Sequence, residues 1–184
     1  MSAFYDNMAK FFFEVGILSR FKRSGFDFLG TGNQNIASHI FRTAIIGYML
    51  ASADSEADAD KTALLCLFHD LPETRTGDIN SYQKDYTTKD EKKAASHMFR
   101  CVPNPVRCEG FIDEFNNGTG KEAVYARDAD VLELILTLKE ELDNGNLQAR
   151  LWIDGAIKRL ATDEARSIAE KAMAMKSYDW WLES

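Results

Sequence analysis

Apolar residues along most of this chain recur every third or fourth position, the spacing of one buried face of a helix. Phe4, Met8, Phe11, Phe12, Val15 and Leu18 form such a stripe in a first helix. The segment "SGFDFLGTGNQN", with Gly25, Gly30 and Gly32, reads as a loop leading into a second helix over roughly 35–53. That helix is expected to turn Ile36, Ile40, Ala44 and Met49 inward. "SEADADKTALLCLF" opens a third helix with Ser55 as N-cap and Asp58 at the capping-box position. Pro72 disfavours helical backbone at the residue before it, so the third helix should stop near Asp70. "TTKDEKKAASHMFR" predicts a charged, largely exposed helix. "NPVRCEGFIDEFNNG" predicts a short one, with Pro105 in its first turn and Gly118 beyond its end. The clearest periodicity spans 121–142, and two further helices follow at 146–160 and 163–175. No alternating strand pattern competes, so the expectation is a single all-α domain over 1–184.

Composition narrows the partners. The chain has 184 residues, 45% hydrophobic and 28% charged, as a globular domain with a sizeable core requires. A net charge of -7 argues against a nucleic-acid polymer or an anionic membrane surface as partner, since both select basic faces. A small anionic ligand held by a few local cations or a metal remains compatible. Asp6, Lys10 and Glu14 interrupt the apolar N-terminal stretch, so no signal peptide is expected there. The three cysteines, Cys66, Cys101 and Cys108, form no CxxC pair. Reduced thiols and a cytoplasmic setting are the expectation.

Candidate chemistry lies where apolar runs meet ionisable groups. The core-like run Ala63 to Phe68 passes directly into His69-Asp70, and Pro72, Glu73, Arg75, Gly77 and Asp78 follow. His39 sits among apolar residues of the second helix, and Asp128 and Asp130 are embedded in the apolar pattern of "ARDADVLEL". A carboxylate on a core helix needs a hydrogen-bond donor, a cation or a metal. His39, His69, Asp70 and either Asp130 or Asp128 would make a mixed nitrogen–oxygen set suited to Mn²⁺, Co²⁺, Fe²⁺ or Zn²⁺. A buried polar network would satisfy the same pattern. His69 and Asp70 can converge on one ion only at an irregular helix end, which Pro72 supplies. Cys66 reads as core and His97 as a surface or packing residue.

The same residues carry a family resemblance. His39, His69-Asp70 and Asp130 resemble the H…HD…D signature of the HD-domain metal-dependent phosphohydrolases. "LFHDLPETRTGDI" resembles the corresponding segment of the 5′-deoxynucleotidase-like branch, as do "RSGFDFLGTGNQNIASHIFRTA" and "ARDADVLEL". This alignment selects Asp130 over Asp128. It runs from about Arg23 to Leu142 and is weakest over 146–184. It implies an HD-domain-like helical bundle with a central metal site, and hydrolysis of a phosphomonoester, typically a deoxynucleoside 5′-monophosphate. Gln34, Ser38 and Phe26 depart from the residues usual in that branch, which are Glu, an acidic residue and Trp respectively.

The resemblance implies catalytic roles for Glu73 and Asp78: one protonates the leaving oxygen and the other orients the attacking water. Arg23 is the first candidate for gripping the phosphate, with Arg42 and Arg75 behind it, and Phe26 could pack in the core or stack on a base. Rival readings keep the fold. One is an HD phosphohydrolase acting on a triphosphate, an alarmone or a cyclic dinucleotide; the other is a catalytically silent nucleotide-binding regulatory module. Related proteins are often homodimers, so a homodimer is expected, and Trp180 and Trp181 are candidates for a subunit contact.

Overall fold

The computed structural model describes residues 2–182. The elements are α1 (Ser2–Gly16), a 3-10 turn (Ile17–Ser19), α2 (Gly25–Leu29), α3 (Ile36–Ser52), α4 (Ala59–Phe68), α5 (Glu73–Thr76) and α6 (Ser81–Lys84). They continue with α7 (Glu91–Phe99), α8 (Pro105–Asn117), α9 (Lys121–Asp143), α10 (Ala149–Ile157), α11 (Asp163–Ala174) and α12 (Asp179–Leu182). No strand occurs among the described residues, and one isolated antiparallel bridge joins Lys22 to Asn35.

The axis of the fold is α9, 23 residues and so roughly 35 Å long at ~1.5 Å per residue. Ala126, Ala129, Leu132, Ile135 and Leu138 are buried along it, and α3, α4, α10 and α11 pack around it. The small alanines let the neighbours approach closely. At Gly47 on α3, an added Cβ would stand 2.6 Å from Cys66 Sγ on α4, so a side chain there would force the helices apart. Overpacking of that kind costs ~1–3 kcal/mol. A second apolar cluster, including Leu18, Ile36, Ile40, Met98, Phe99 and Ile112, ties α1, α7 and α8 to the base of α3.

Helix ends follow local chemistry, with one shift from expectation. Asn35 caps α3, its side chain accepting from Ser38 N at 2.8 Å. At α4 the cap is Asp58, accepting from Lys61 N at 2.9 Å, rather than Ser55. Both residues are good caps three positions apart, and the helix starts at the later one. The expected loop after Arg23 contains the short α2, stopped by Gly30 at φ 81. Met49 is 62% exposed rather than inward, and Phe4 and Phe12 are also exposed, while Met8, Phe11, Val15 and Leu18 do face the core. The α7 helix buries Ala94, Ala95, Met98 and Phe99, more than its charged sequence suggests.

The residues after α9 are fastened back onto it. The Asp128 carboxylate accepts from Ala161 N (2.7 Å), Thr162 N (2.8 Å) and Thr162 Oγ1 (2.6 Å). Asp143 accepts from Ser177 N at 2.8 Å and from Lys139 Nζ. No helix among the described residues is long and apolar enough to cross a membrane.

Candidate metal centre and cleft

Two helices and a helix end bring the sequence-selected groups together. His39 projects from α3, His69 caps the end of α4, and Asp130 lies on α9. α4 ends at Phe68, although His69 keeps helical backbone angles (φ -55, ψ -42) and its N–H still bonds to Leu65 O. His69 Nε2 lies 3.1 Å from Asp70 Oδ2. His39 Nε2 lies 3.6 Å from Asp70 Oδ2 and 3.1 Å from Asp130 Oδ1. One ligand atom each from His39, His69 and Asp70 falls within 4.8 Å of the others, a spacing that can hold a metal ion.

Both imidazoles are oriented from behind. Glu133 Oε2 meets His39 Nδ1 at 2.6 Å, and the Cys66 carbonyl meets His69 Nδ1 at 2.7 Å. Each ring therefore turns Nε2 toward the carboxylates, as metal-binding histidines held by an outer partner do. Both Nε2 atoms are buried and, despite their proximity to Asp70 and Asp130, make no aligned hydrogen bond. An orphaned pair of imidazole nitrogens beside two carboxylates is costly without a cation between them. The donor set suits a divalent transition metal.

Electrostatics follow from crowding. Burial opposes ionisation of Asp70, but His69, His39 and Arg23 outweigh it and hold the carboxyl far below its usual range. For Asp130 burial is likewise overcome, chiefly by His39, and the pKa falls to about 2. Burial disfavours charge on His69, yet Asp70 and Asp130 raise it to about 9. Glu133, buried but bonded to His39 and Arg42, is held down at about 2. Glu73 goes the other way. Burial and then the charge of Asp70 push it up to about 8, against Lys89, whose Nζ lies 2.7 Å from Oε1.

His69, Asp70, Asp130 and Glu73 line a cleft of about 550 Å³, with His39 buried behind them. Arg23 stands over Asp70, Nη1 to Oδ2 3.5 Å, and its loop is pinned by Arg23 N to Gln34 O (3.0 Å) and Ile36 N to Phe21 O (2.9 Å). Asp78 lines the same cleft and accepts from Ser24 N at 2.5 Å. Gly77, at φ 73, ends α5 and turns the chain into that position. Phe26 borders the cleft with its ring largely buried.

Arg42 and Arg75 stand outside the cleft. Arg42 donates to Glu133 (2.9 Å), to Glu140 (2.6 Å) and to Thr137, so it braces the carboxylate behind His39. Arg75 pairs with Glu14 on α1 at 2.5 and 2.9 Å. Each has a carboxylate partner. Asp128 faces away from the imidazoles into its bonds with Ala161 and Thr162. His97 is exposed and Cys66 buried.

Sequence reasoning passed over Glu133, Lys89 and the role of Gln34. Gln34 Nε2 donates to Glu133 Oε1 at 2.6 Å and lies 3.1 Å from Thr137 Oγ1. A glutamate at position 34 would set two carboxylates against each other here, so the amide matches the ionised Glu133. The available signal was spacing: Asp130, Glu133 and Thr137 fall at i, i+3 and i+7 on one face of α9.

Comparison with known proteins gives the family and the fold. Residues 15–172 match the family model described as HD domain. The 5′-deoxynucleotidase HDDC2 of Mus musculus is 26% identical over 143 residues, covering 74% of this chain and 71% of the relative. The protein of the same name from Danio rerio is 27% identical, covering 89% and 91%. In fold, the chain is similar to a solved structure named a predicted metal-dependent phosphohydrolase from Magnetospirillum magnetotacticum. That match has a TM-score of 0.73 at 20% identity and covers 92% and 91% of the two chains.

Proposed function

The chain belongs to the HD-domain family, within the HD phosphohydrolase superfamily of enzymes, and from that footing we propose that it releases phosphate from (deoxy)nucleoside 5′-monophosphates. His39, His69, Asp70 and Asp130 hold one divalent transition metal ion, Mn, Co, Fe or Zn, in a single domain over 1–184. The observation that carries this reading is the pair of buried Nε2 atoms, without an aligned hydrogen bond, facing Asp70 and Asp130, which line the cleft beside Arg23. The 5′-monophosphate substrate is supported by the names of the curated relatives.

When bound, the metal acidifies a water and polarises a phosphoryl oxygen. The chain's own groups do the rest. Arg23 grips the non-bridging oxygens with two parallel N–H donors. Asp78, steadied by Ser24 N, accepts a hydrogen bond from the attacking water and aims it at phosphorus. Glu73, with its pKa near 8, carries a proton at neutral pH and gives it to the 5′ oxygen as the P–O bond breaks. The carboxylate left behind is then met by Lys89 at 2.7 Å. A homodimer belongs to the same proposal, supported by the exposed Phe41, Ile45 and Met49 on α3.

A phosphate-release screen over deoxynucleoside and ribonucleoside monophosphates with Mn²⁺, Co²⁺, Fe²⁺ and Zn²⁺ tests the reaction. Orthophosphate from monophosphates is the expected product. Pyrophosphate from a triphosphate or alarmone, or a linear dinucleotide from a cyclic one, would assign the sibling chemistries. Binding without any turnover would mark a regulatory module.

A further inference from the structure

Three aromatic residues line the cleft, and they differ in how much ring surface they offer. Phe115 is 8% exposed, and its face is stacked on His69 with centroids 4.4 Å apart and planes 28° apart. Phe26 is 6% exposed, and its ring presses on the Gly32 backbone so tightly that a Cβ there would stand 2.5 Å from Cδ1. Both are committed to the protein. Trp152, on α10, is 37% exposed.

Trp152 is also seated. Its six-membered ring rests on Gly25, where a Cβ would lie 3.3 Å from Cζ3 and 3.8 Å from Cη2. Gly25 is two residues from Arg23, so the seat and the phosphate-side arginine share one short turn, with Cα atoms at most ~7.6 Å apart. Further along α10, Gly155 and Ala156 fall on the same helical face, and they and Arg159, just past the helix end, line the same cleft. Gly155 contributes no side chain, so the space beside the indole stays open.

We propose that Trp152 is the platform on which the substrate's nucleobase stacks, making α10 the wall that recognises the leaving nucleoside. The proposal deepens the monophosphatase reading and rests on it. Stacking on an indole face accepts any base, because every base has a π face, so purine and pyrimidine monophosphates should both be taken. Phe26, buried against Gly32, shapes the turn under Trp152.

The test compares substrates with and without a base. Trp152→Ala should lower kcat/KM for deoxynucleoside monophosphates roughly 10- to 100-fold while leaving 2-deoxyribose 5-phosphate hydrolysis within about two-fold, and Trp152→Phe should recover most of the loss. Equal losses on both substrates, or no loss on the nucleotide, would overturn the proposal. A binding readout separates this from failure of the reaction itself. In the Trp180→Phe/Trp181→Phe double variant, Trp152 is the single tryptophan of the chain's three. A deoxynucleotide should quench its emission and 2-deoxyribose 5-phosphate should not. Absence of quenching by the nucleotide overturns the stacking role whether or not phosphate is released. Quenching without turnover removes only the reaction.

Discussion

The floor of the cleft and its side wall carry the same kind of side chain in opposite charge states. On the floor, Asp70 and Asp130 are crowded by two imidazoles and Arg23, which overcome burial and keep both carboxyls ionised. On the wall, Glu73 has only Lys89 beside it, with Asp70 and Asp78 adding like charge, and it is pushed up to about 8. Only Leu71 and Pro72 separate Asp70 from Glu73. The local ratio of cations to carboxylates, more than depth alone, decides which acid stays ionised and which holds a proton.

The comparison can be broken first at the floor. Asp70→Ala should remove phosphate release, by roughly 10³-fold or more, and take metal content from about one ion per chain to none. Helicity by circular dichroism should be largely unchanged. A variant that keeps both its metal and its turnover would take Asp70 out of the site.

On the wall, Glu73→Gln should lower kcat by roughly 10²–10³-fold, with metal content retained, since it removes a proton donor. The wild-type rate should fall as pH rises past about 8, where Glu73 loses its proton, and that alkaline limb should vanish in the glutamine variant. A limb that survives belongs to another group.

Stability of the metal-stripped protein sharpens the contrast. His69 moves from 6.5 to about 9 on folding, so the folded chain binds more protons than the unfolded one between those values. Stabilisation is therefore complete below about 6.5 and lost as pH rises toward about 9. In chelator, Tm should drop by roughly several degrees across that window. Metal should blunt the drop, because it occupies the nitrogens that protons otherwise take. A flat Tm profile in chelator would place the His69 proton elsewhere.

The smallest effect is expected at Arg75. Its bond to Glu14 is a surface pair, so Arg75→Ala should cost about 1 kcal/mol or less and leave kcat/KM unchanged. A large loss of activity would bring Arg75 back toward the substrate.

Much of the site was legible because its residues interrupt an apolar pattern. His39 and Asp130 stand on core helices, and His69-Asp70 ends a buried one, so each announces a need for a partner. The supports were not legible for the opposite reason. Glu133 resembles any helical glutamate until Arg42 and Gln34, 91 and 99 residues away, are folded against it. Lys89 lies in a run of charges that looks solvated, and only the approach of α5 reveals its contact with Glu73. Met49 was misplaced because α3 carries apolar residues on nearly every side, and periodicity there does not choose a face. Trp152 reads as one more apolar residue of a late helix until Gly25 is found beneath it.

Asp128 and Asp130 sit two residues apart on α9 and serve opposite sides of it. One carboxylate meets His39 Nε2; the other anchors the backbone at Ala161 and Thr162. The long helix is thus a party wall, with the candidate metal ligands on one side and a tenant on the other. The tenant is the turn at Ala161 and Thr162 that leads into α11. On the reading proposed above, substitutions on the cleft face of α10 that keep Asp128's grip would change which leaving group is held while leaving His39, His69, Asp70 and Asp130 untouched.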